Sequence, residues 1–139
     1  MLFLLGAGTA EGWVYPLSKM VKNNWMNITT CNNEVKIASY LFSNGSCAVN
    51  SLHPTFNALG DNGNLACSKC TKTSDSRRYC TNSDPFAGNA GSMKCLDDIR
   101  TNSGVGVAFL RADTLSNWIN NNPKIAGFYK LLCPVPQAE

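Results

Sequence analysis

Three features of the sequence predict an α/β layer architecture. Short apolar runs alternate with segments whose apolar residues recur at helical spacing. One run, Val105 to Leu110, is apolar throughout and bounded by Gly104 and Arg111, the pattern of a strand buried on both faces. The chain has 139 residues, enough for one hydrophobic core and too few for two.

Leu2 to Leu5 reads as a short strand, and Gly6-Ala7-Gly8 turns the chain into a helix that begins near Thr9 or Ala10. Trp13, Leu17, Met20 and Val21 form its apolar stripe, with Asn24 next at the same spacing. Pro16 falls early in this helix, where a missing amide does least harm. Val35 to Phe42 predicts a second amphipathic helix through Val35, Ala38 and Phe42, ended by Asn44-Gly45. Residues 43–88 are rich in Asn, Gly, Ser and Pro and hold four cysteines, so they read as an irregular excursion held by cross-links. Without cross-links, a loop that long argues against any compact assignment. A third helix is expected over Ala90 to Arg100 with Ala90, Met93, Leu96 and Ile99 inward. After the 105–110 strand, Asp113 is placed to cap a short helix carrying Leu115, Trp118 and Ile119. Phe128 to Cys133 reads as a last strand before a Pro-rich end. Trp13, Trp25 and Trp118 read as core residues rather than as a platform for sugars or bases.

Composition narrows the function classes. The chain is 44% apolar and 15% charged, with a net charge of +3 and scattered basic residues. Arg77-Arg78 is the one tight basic pair and reads as a solvated loop, so neither a nucleic-acid stripe nor a polybasic membrane patch is present. Met1 to Leu5 is apolar but lacks a basic flank and meets Gly6 at once, unlike a signal peptide. No stretch approaches the roughly 20 apolar residues of a membrane helix. Seven cysteines in so short a chain point to an oxidising compartment. Two sequons, Asn27-Ile28-Thr29 and Asn44-Gly45-Ser46, agree with secretion and make Asn27 and Asn44 candidate glycosylation sites.

An odd cysteine count leaves at least one thiol without a partner in the chain. Cys47, Cys67, Cys70 and Cys80 fit either two disulfides or a four-thiolate zinc site, since Cys67-x-x-Cys70 has ligand spacing. A zinc ribbon normally has two such close pairs, and here there is one. His53, the only histidine, precedes Pro54 in a loop and reads as a surface residue rather than the base of a cysteine enzyme. Asp97-Asp98 reads as a solvated helix face, because adjacent helical residues point in different directions.

Six segments, in order from Gly6 to Cys133, resemble the transferrin family. Gly6-Ala7-Gly8-Thr9-Ala10-Glu11-Gly12-Trp13, followed by Pro16, resembles the segment opening that family's anion-binding helix. Asn44-Gly45-Ser46-Cys47-Ala48 resembles its Gly-Ser-Cys-Ala turn, and Cys67-Ser68-Lys69-Cys70 its downstream Cys-x-x-Cys. Cys80 to Cys95, with Phe86, Gly88, Gly91, Lys94 and then Leu96, matches the spacing of the Tyr-Gly-Tyr-x-Gly-Ala-Phe-x-Cys-Leu motif. Val107-Ala108-Phe109-Leu110-Arg111 and Leu131-Leu132-Cys133 are similar to the following strand and the Leu-Leu-Cys. The resemblance implies a periplasmic-binding-protein-like subdomain, a mixed sheet flanked by helices, and covers mainly the second subdomain of one lobe. It also implies the pairs Cys47–Cys70 and Cys67–Cys80. It gives Cys95 a partner position occupied here by Phe3, and places the partners of Cys31 and Cys133 beyond residue 139. All three are thus expected to be free or bonded to another chain.

In the family, ferric ion and carbonate are held by one Asp, two Tyr, one His, an Arg, a Thr and the amides at a helix start. Hard ferric ion favours anionic oxygen, and a helix start favours an anion. Where the family has a ligating Tyr this chain has Asn89, and where it has the anion-clamping Arg it has Thr9. Leu5 stands for the anion-binding Thr, and Glu11 for a small anion-facing residue before Gly12. A neutral amide oxygen is a poor substitute for phenolate, and losing Arg removes a bidentate donor. The expectation is a non-enzymatic extracellular module without iron or carbonate of its own. Its partners would be the rest of a transferrin-like lobe and a cell-surface receptor. The rival reading is a degenerate partner to another lobe that still carries iron, with a cysteine-dependent enzyme a remote third. The carboxylate of Glu11 has two readings: a solvent-facing glutamate at a helix start, which is the commoner case, or a built-in counter-charge that occupies the vacated anion position against the amides of the first turn.

Overall fold

A computed structural model describes residues 2–27, 34–60, 63–72 and 80–132. Strand β1 (Leu2–Gly6) is the centre of a three-stranded sheet of order β2-β1-β3. Strand β2 (Ser46–Val49) pairs in parallel with β1, Phe3 opposite Ser46 and Leu5 opposite Ala48. Strand β3 (Gly106–Ala108) pairs in parallel on the other side, Leu4 opposite Ala108. Both pairings are parallel, so among the described residues the expected mixed sheet is corrected to a parallel one. Parallel neighbours need long crossovers, and the helices supply them. Between β1 and β2 lie a π-helical turn (Ala10–Val14) that runs into α1 (Tyr15–Lys22), then α2 (Glu34–Leu41). Between β2 and β3 lie a short α3 (Gly63–Ala66) and the long α4 (Gly88–Thr101). After β3 come α5 (Ala112–Asn121) and a 3₁₀ helix over Pro123–Phe128.

Side-chain alternation along β2 divides the core. Ala48 joins a cluster with Trp13, Leu17 and Met20 of the first helical segment and Val35 and Ala38 of α2. Cys47 and Val49, one residue to either side, join Cys67, Cys70, Cys80 and Cys95, with Phe86, Leu96 and Ile99 packed against them. A period of two on the strand thus feeds one apolar cluster and one sulfur-rich cluster.

Several sequence expectations are corrected. The excursion expected over 43–88 contains β2 and α3. Its run Ser46-Cys47-Ala48-Val49 is buried at every position, but glycine and serine around it mask a strand so short. The 105–110 strand shrinks to three half-buried residues and Val105 is 76% exposed, because β3 lies at the sheet edge. In α4 Met93 is buried and Leu96 and Ile99 pack on the core as expected, but Ala90 faces solvent and the inward residue of that first turn is Gly91. Asp113 does not cap α5. Arg111 holds the cap position, and Asp113 sits in the first turn, ion-paired to it at 2.8 Å. Phe128 to Leu132 forms no strand, and Phe128, Leu131 and Leu132 are exposed. A 3₁₀ helix started by Pro123 ends at Phe128, and Arg100 holds that end, with the guanidinium 4.9 Å from the Phe128 ring centre. Trp13 is buried and Trp118 half-buried, whereas Trp25 is 68% exposed just after α1 ends.

Candidate functional site

The family resemblance directs attention to the carboxyl edge of the sheet, where β1 and β3 end and α4 begins. In parallel α/β sheets, ligands are bound at this edge. After β1, the Ala7 amide donates to Val49 O at 2.9 Å, tying the turn to the end of β2. Gly8 has φ +82°, and a Cβ there would run into the Phe56 ring, so both the backbone and the neighbour require glycine.

Thr9 caps the helix that follows. Its hydroxyl donates to Gly6 O at 2.7 Å and accepts from the Gly12 amide at 3.2 Å. Gly12 is buried against this cap, since a Cβ there would lie 2.7 Å from the Thr9 hydroxyl and 3.0 Å from the Gly6 nitrogen. The Val14 amide reaches Thr9 O at 3.0 Å, which widens the first turn into a π-helical one. Glu11 is exposed, and the Gly12 amide of that turn goes to Thr9 rather than to the Glu11 carboxylate. A threonine cap meets this donor locally, so of the two readings of Glu11 the solvent-facing one agrees with the structure. Leu5 lies in β1, its backbone opposite Ala48.

Asn89 is the second residue of α4. Its side-chain oxygen accepts the Arg111 amide at 2.8 Å. This bond crosses from the start of α4 to the segment leaving β3 and fixes the entry into α5.

The cysteine cluster sits behind this edge. Cys47–Cys70 and Cys67–Cys80 are disulfides, with Cα atoms 4.5 and 5.6 Å apart. The sulfurs of Cys67, Cys70 and Cys80 lie within 4.8 Å of one another, as do ligand atoms of Cys47, Cys70 and Asp84. The spacing would suit a metal, but these sulfurs are bonded in pairs. Asp84 is also engaged, its two oxygens accepting the Thr71 and Phe86 amides at 3.0 and 2.8 Å. Buried Asp84, which joins two loops, was missed by the sequence reading, though Asp84-Pro85 is a turn signal.

Cys95 is the free cysteine among the described residues, and it is buried. Burial, with the nearby charges of Asp98 and Asp84, pushes its thiol up to about 12. A nucleophilic cysteine needs the opposite shift. Cys95 lines a cleft of about 460 Å³ together with Asn44, Lys69 and Phe86. The thiol is free, as expected, but it is 2% exposed in the cleft wall, which argues against ready reaction with reagents or with another chain. Cys31, Cys133 and the Arg77-Arg78 pair lie outside the described residues.

His53 is exposed, its Nδ1 accepting the Thr55 amide at 3.2 Å. Asn27 and Asn44 are both exposed. Asp97 is not simply solvated. It pairs with Arg100 at 2.7 Å and accepts a hydrogen bond from the Tyr129 hydroxyl, which holds the segment after the 3₁₀ helix against α4. No described helix is long and apolar enough to cross a membrane.

Transferrin 2 of Drosophila melanogaster is 38% identical over 112 residues, 81% of this chain and 13% of that protein. Serotransferrin of Bos taurus is 27% identical over 129 residues, 92% of this chain and 16% of that protein. The chain therefore spans less than a fifth of the length of either relative. The sequence model of the Transferrin family matches residues 4–137, nearly the whole chain, and the chain belongs to the transferrin family.

Proposed function

We propose that this chain is the second subdomain of one transferrin lobe, with a periplasmic-binding-protein-like fold, and that it binds neither ferric ion nor carbonate by itself. It acts as a secreted, extracellular, non-enzymatic module that docks on the rest of its lobe and presents a surface to a receptor. The observation that carries this reading is how Asn89 and Thr9 are used. Asn89 occupies the position of a ligating Tyr, and its oxygen is committed to the Arg111 amide. Thr9 occupies the position of the anion-clamping Arg, and its hydroxyl is committed to Gly6 and Gly12. Neither side chain carries a charge, and both have structural work that competes with a ligand. These residues do not fit a ferric–carbonate pair, whose binding favours phenolate and a cationic donor. The two disulfides and the exposed Asn27 and Asn44 support an extracellular setting.

Thermal unfolding with and without ferric nitrilotriacetate in bicarbonate tests the proposal. A ligand at about 100 times its Kd stabilises a folded protein by about 2.7 kcal/mol. No change in Tm is expected, and a rise that saturates at one ferric ion per chain would overturn the reading.

A further inference from the structure

The Asn44-Gly45-Ser46 sequon is split by the fold. Asn44 is exposed, but Ser46 is 4% exposed and is the first residue of β2. The Ser46 hydroxyl donates to Ala66 O at 3.0 Å, and Ser46 O accepts the Lys69 amide at 3.0 Å. Gly45, between them, has φ +90° and its amide donates to Phe42 O at 2.8 Å. A Cβ on Gly45 would collide with the Ser68 hydroxyl, so the 66–69 segment lies directly on the sequon. Cys47, the next residue, fastens that cover through Cys70. A glycosyl transferase needs the acceptor nitrogen, a backbone free to enter its active site and the hydroxyl two residues on. The folded chain offers only the first of these.

We propose that Asn44 accepts an N-linked glycan only while β2 is open, so that glycan transfer competes with β2 docking and closure of Cys47–Cys70. The donor is an oligosaccharide on a polyprenyl diphosphate. The bond from its anomeric carbon to the diphosphate breaks, and the diphosphate leaves with the electron pair. A bond from that carbon to Asn44 Nδ2 forms, and Nδ2 gives up one proton. Once β2 has docked, an unmodified Asn44 stays unmodified. A glycan added earlier is tolerated, because the Asn44 side chain faces solvent. This proposal rests on the extracellular reading above, but its test supplies a signal peptide and does not depend on the chain's natural route.

The full chain carrying Asn27→Gln, which leaves Asn44 as the sole sequon, is expressed behind a signal peptide in secretory cells. Glycopeptide mass spectrometry then reads occupancy at Asn44. Partial occupancy is expected, rising severalfold when dithiothreitol is pulsed during synthesis to delay disulfide closure. In a second arm, purified unglycosylated chain is offered to a solubilised transferase with the lipid-linked donor. The reduced, unfolded chain should be modified and the folded, disulfide-bonded chain should not. Equal modification of both forms, occupancy unmoved by the reductant, or no modification of either form overturns the proposal.

Discussion

Gly91→Ala sets two well-known effects against each other, and the structure decides the sign. Gly91 lies inside α4, where alanine is favoured over glycine by about 1 kcal/mol. Propensity alone predicts stabilisation. Gly91 is buried, however, and a Cβ there would overlap the carbonyl carbon of Phe86 and lie 2.8 Å from its Cα and its oxygen. The obstacle is backbone, and it cannot turn aside like a side chain. It is also anchored, since Asp84 holds the Phe86 amide at 2.8 Å and the Ala87 amide donates to Asp84 O at 2.8 Å. Overpacking of this kind costs about 1–3 kcal/mol, and loosening an Asp84 bond costs about 1 more. The expected net loss is about 1–3 kcal/mol, measured by urea unfolding with the disulfides intact. Gly127→Ala is the control, since nothing lies within 4 Å of its new Cβ, and it should be neutral or stabilise by up to about 1 kcal/mol. A Gly91→Ala chain as stable as the parent would refute the packing argument.

Thr9→Ala should cost about 1 kcal/mol through loss of the helix cap, whereas Glu11→Gln should stay within about 0.5, both read as shifts in urea midpoint. The hydrogen bond from Tyr129, with the Arg100 pairing, holds the Asp97 carboxyl below its ordinary value. That contribution is complete above the unfolded carboxylate range and is lost as pH falls through the lower folded value. Asp97→Asn should therefore be less stable than the parent at neutral pH, and the gap should close in acid. Cys95 should resist iodoacetamide in the native chain at pH 8 and react on unfolding, as peptide mapping will read directly. Mapping of the non-reduced chain should return Cys47–Cys70 and Cys67–Cys80, which span 23 and 13 residues, and opening either should cost about 3 kcal/mol.

The α/β alternation, the first two helices and α4 were legible because apolar period and glycine boundaries are local signals. The disulfide pairing came through family resemblance, since spacing alone left a zinc site open. Within α4 the inward placement of Ala90 fails, because the Phe86 backbone lies against Gly91, a contact no periodicity encodes, whereas Met93, Leu96 and Ile99 face the core as expected. Phe128 to Leu132 has strand-like composition, but Pro123 and the contacts of Arg100 with Phe128 and Tyr129 impose another conformation. At the candidate site the family resemblance picks out Thr9 and Asn89 and describes them only as departures. What they do depends on partners. For Thr9 these are its own neighbours in a turn, and for Asn89 an amide 22 residues away.

The most direct test of the account is a titration of the chain with ferric nitrilotriacetate in bicarbonate, followed by visible absorbance. With Asn89 bound to the Arg111 amide and Thr9 serving as a helix cap, no phenolate-to-iron charge-transfer band should develop at any ratio. A band that grows and saturates at one ferric ion per chain would contradict it.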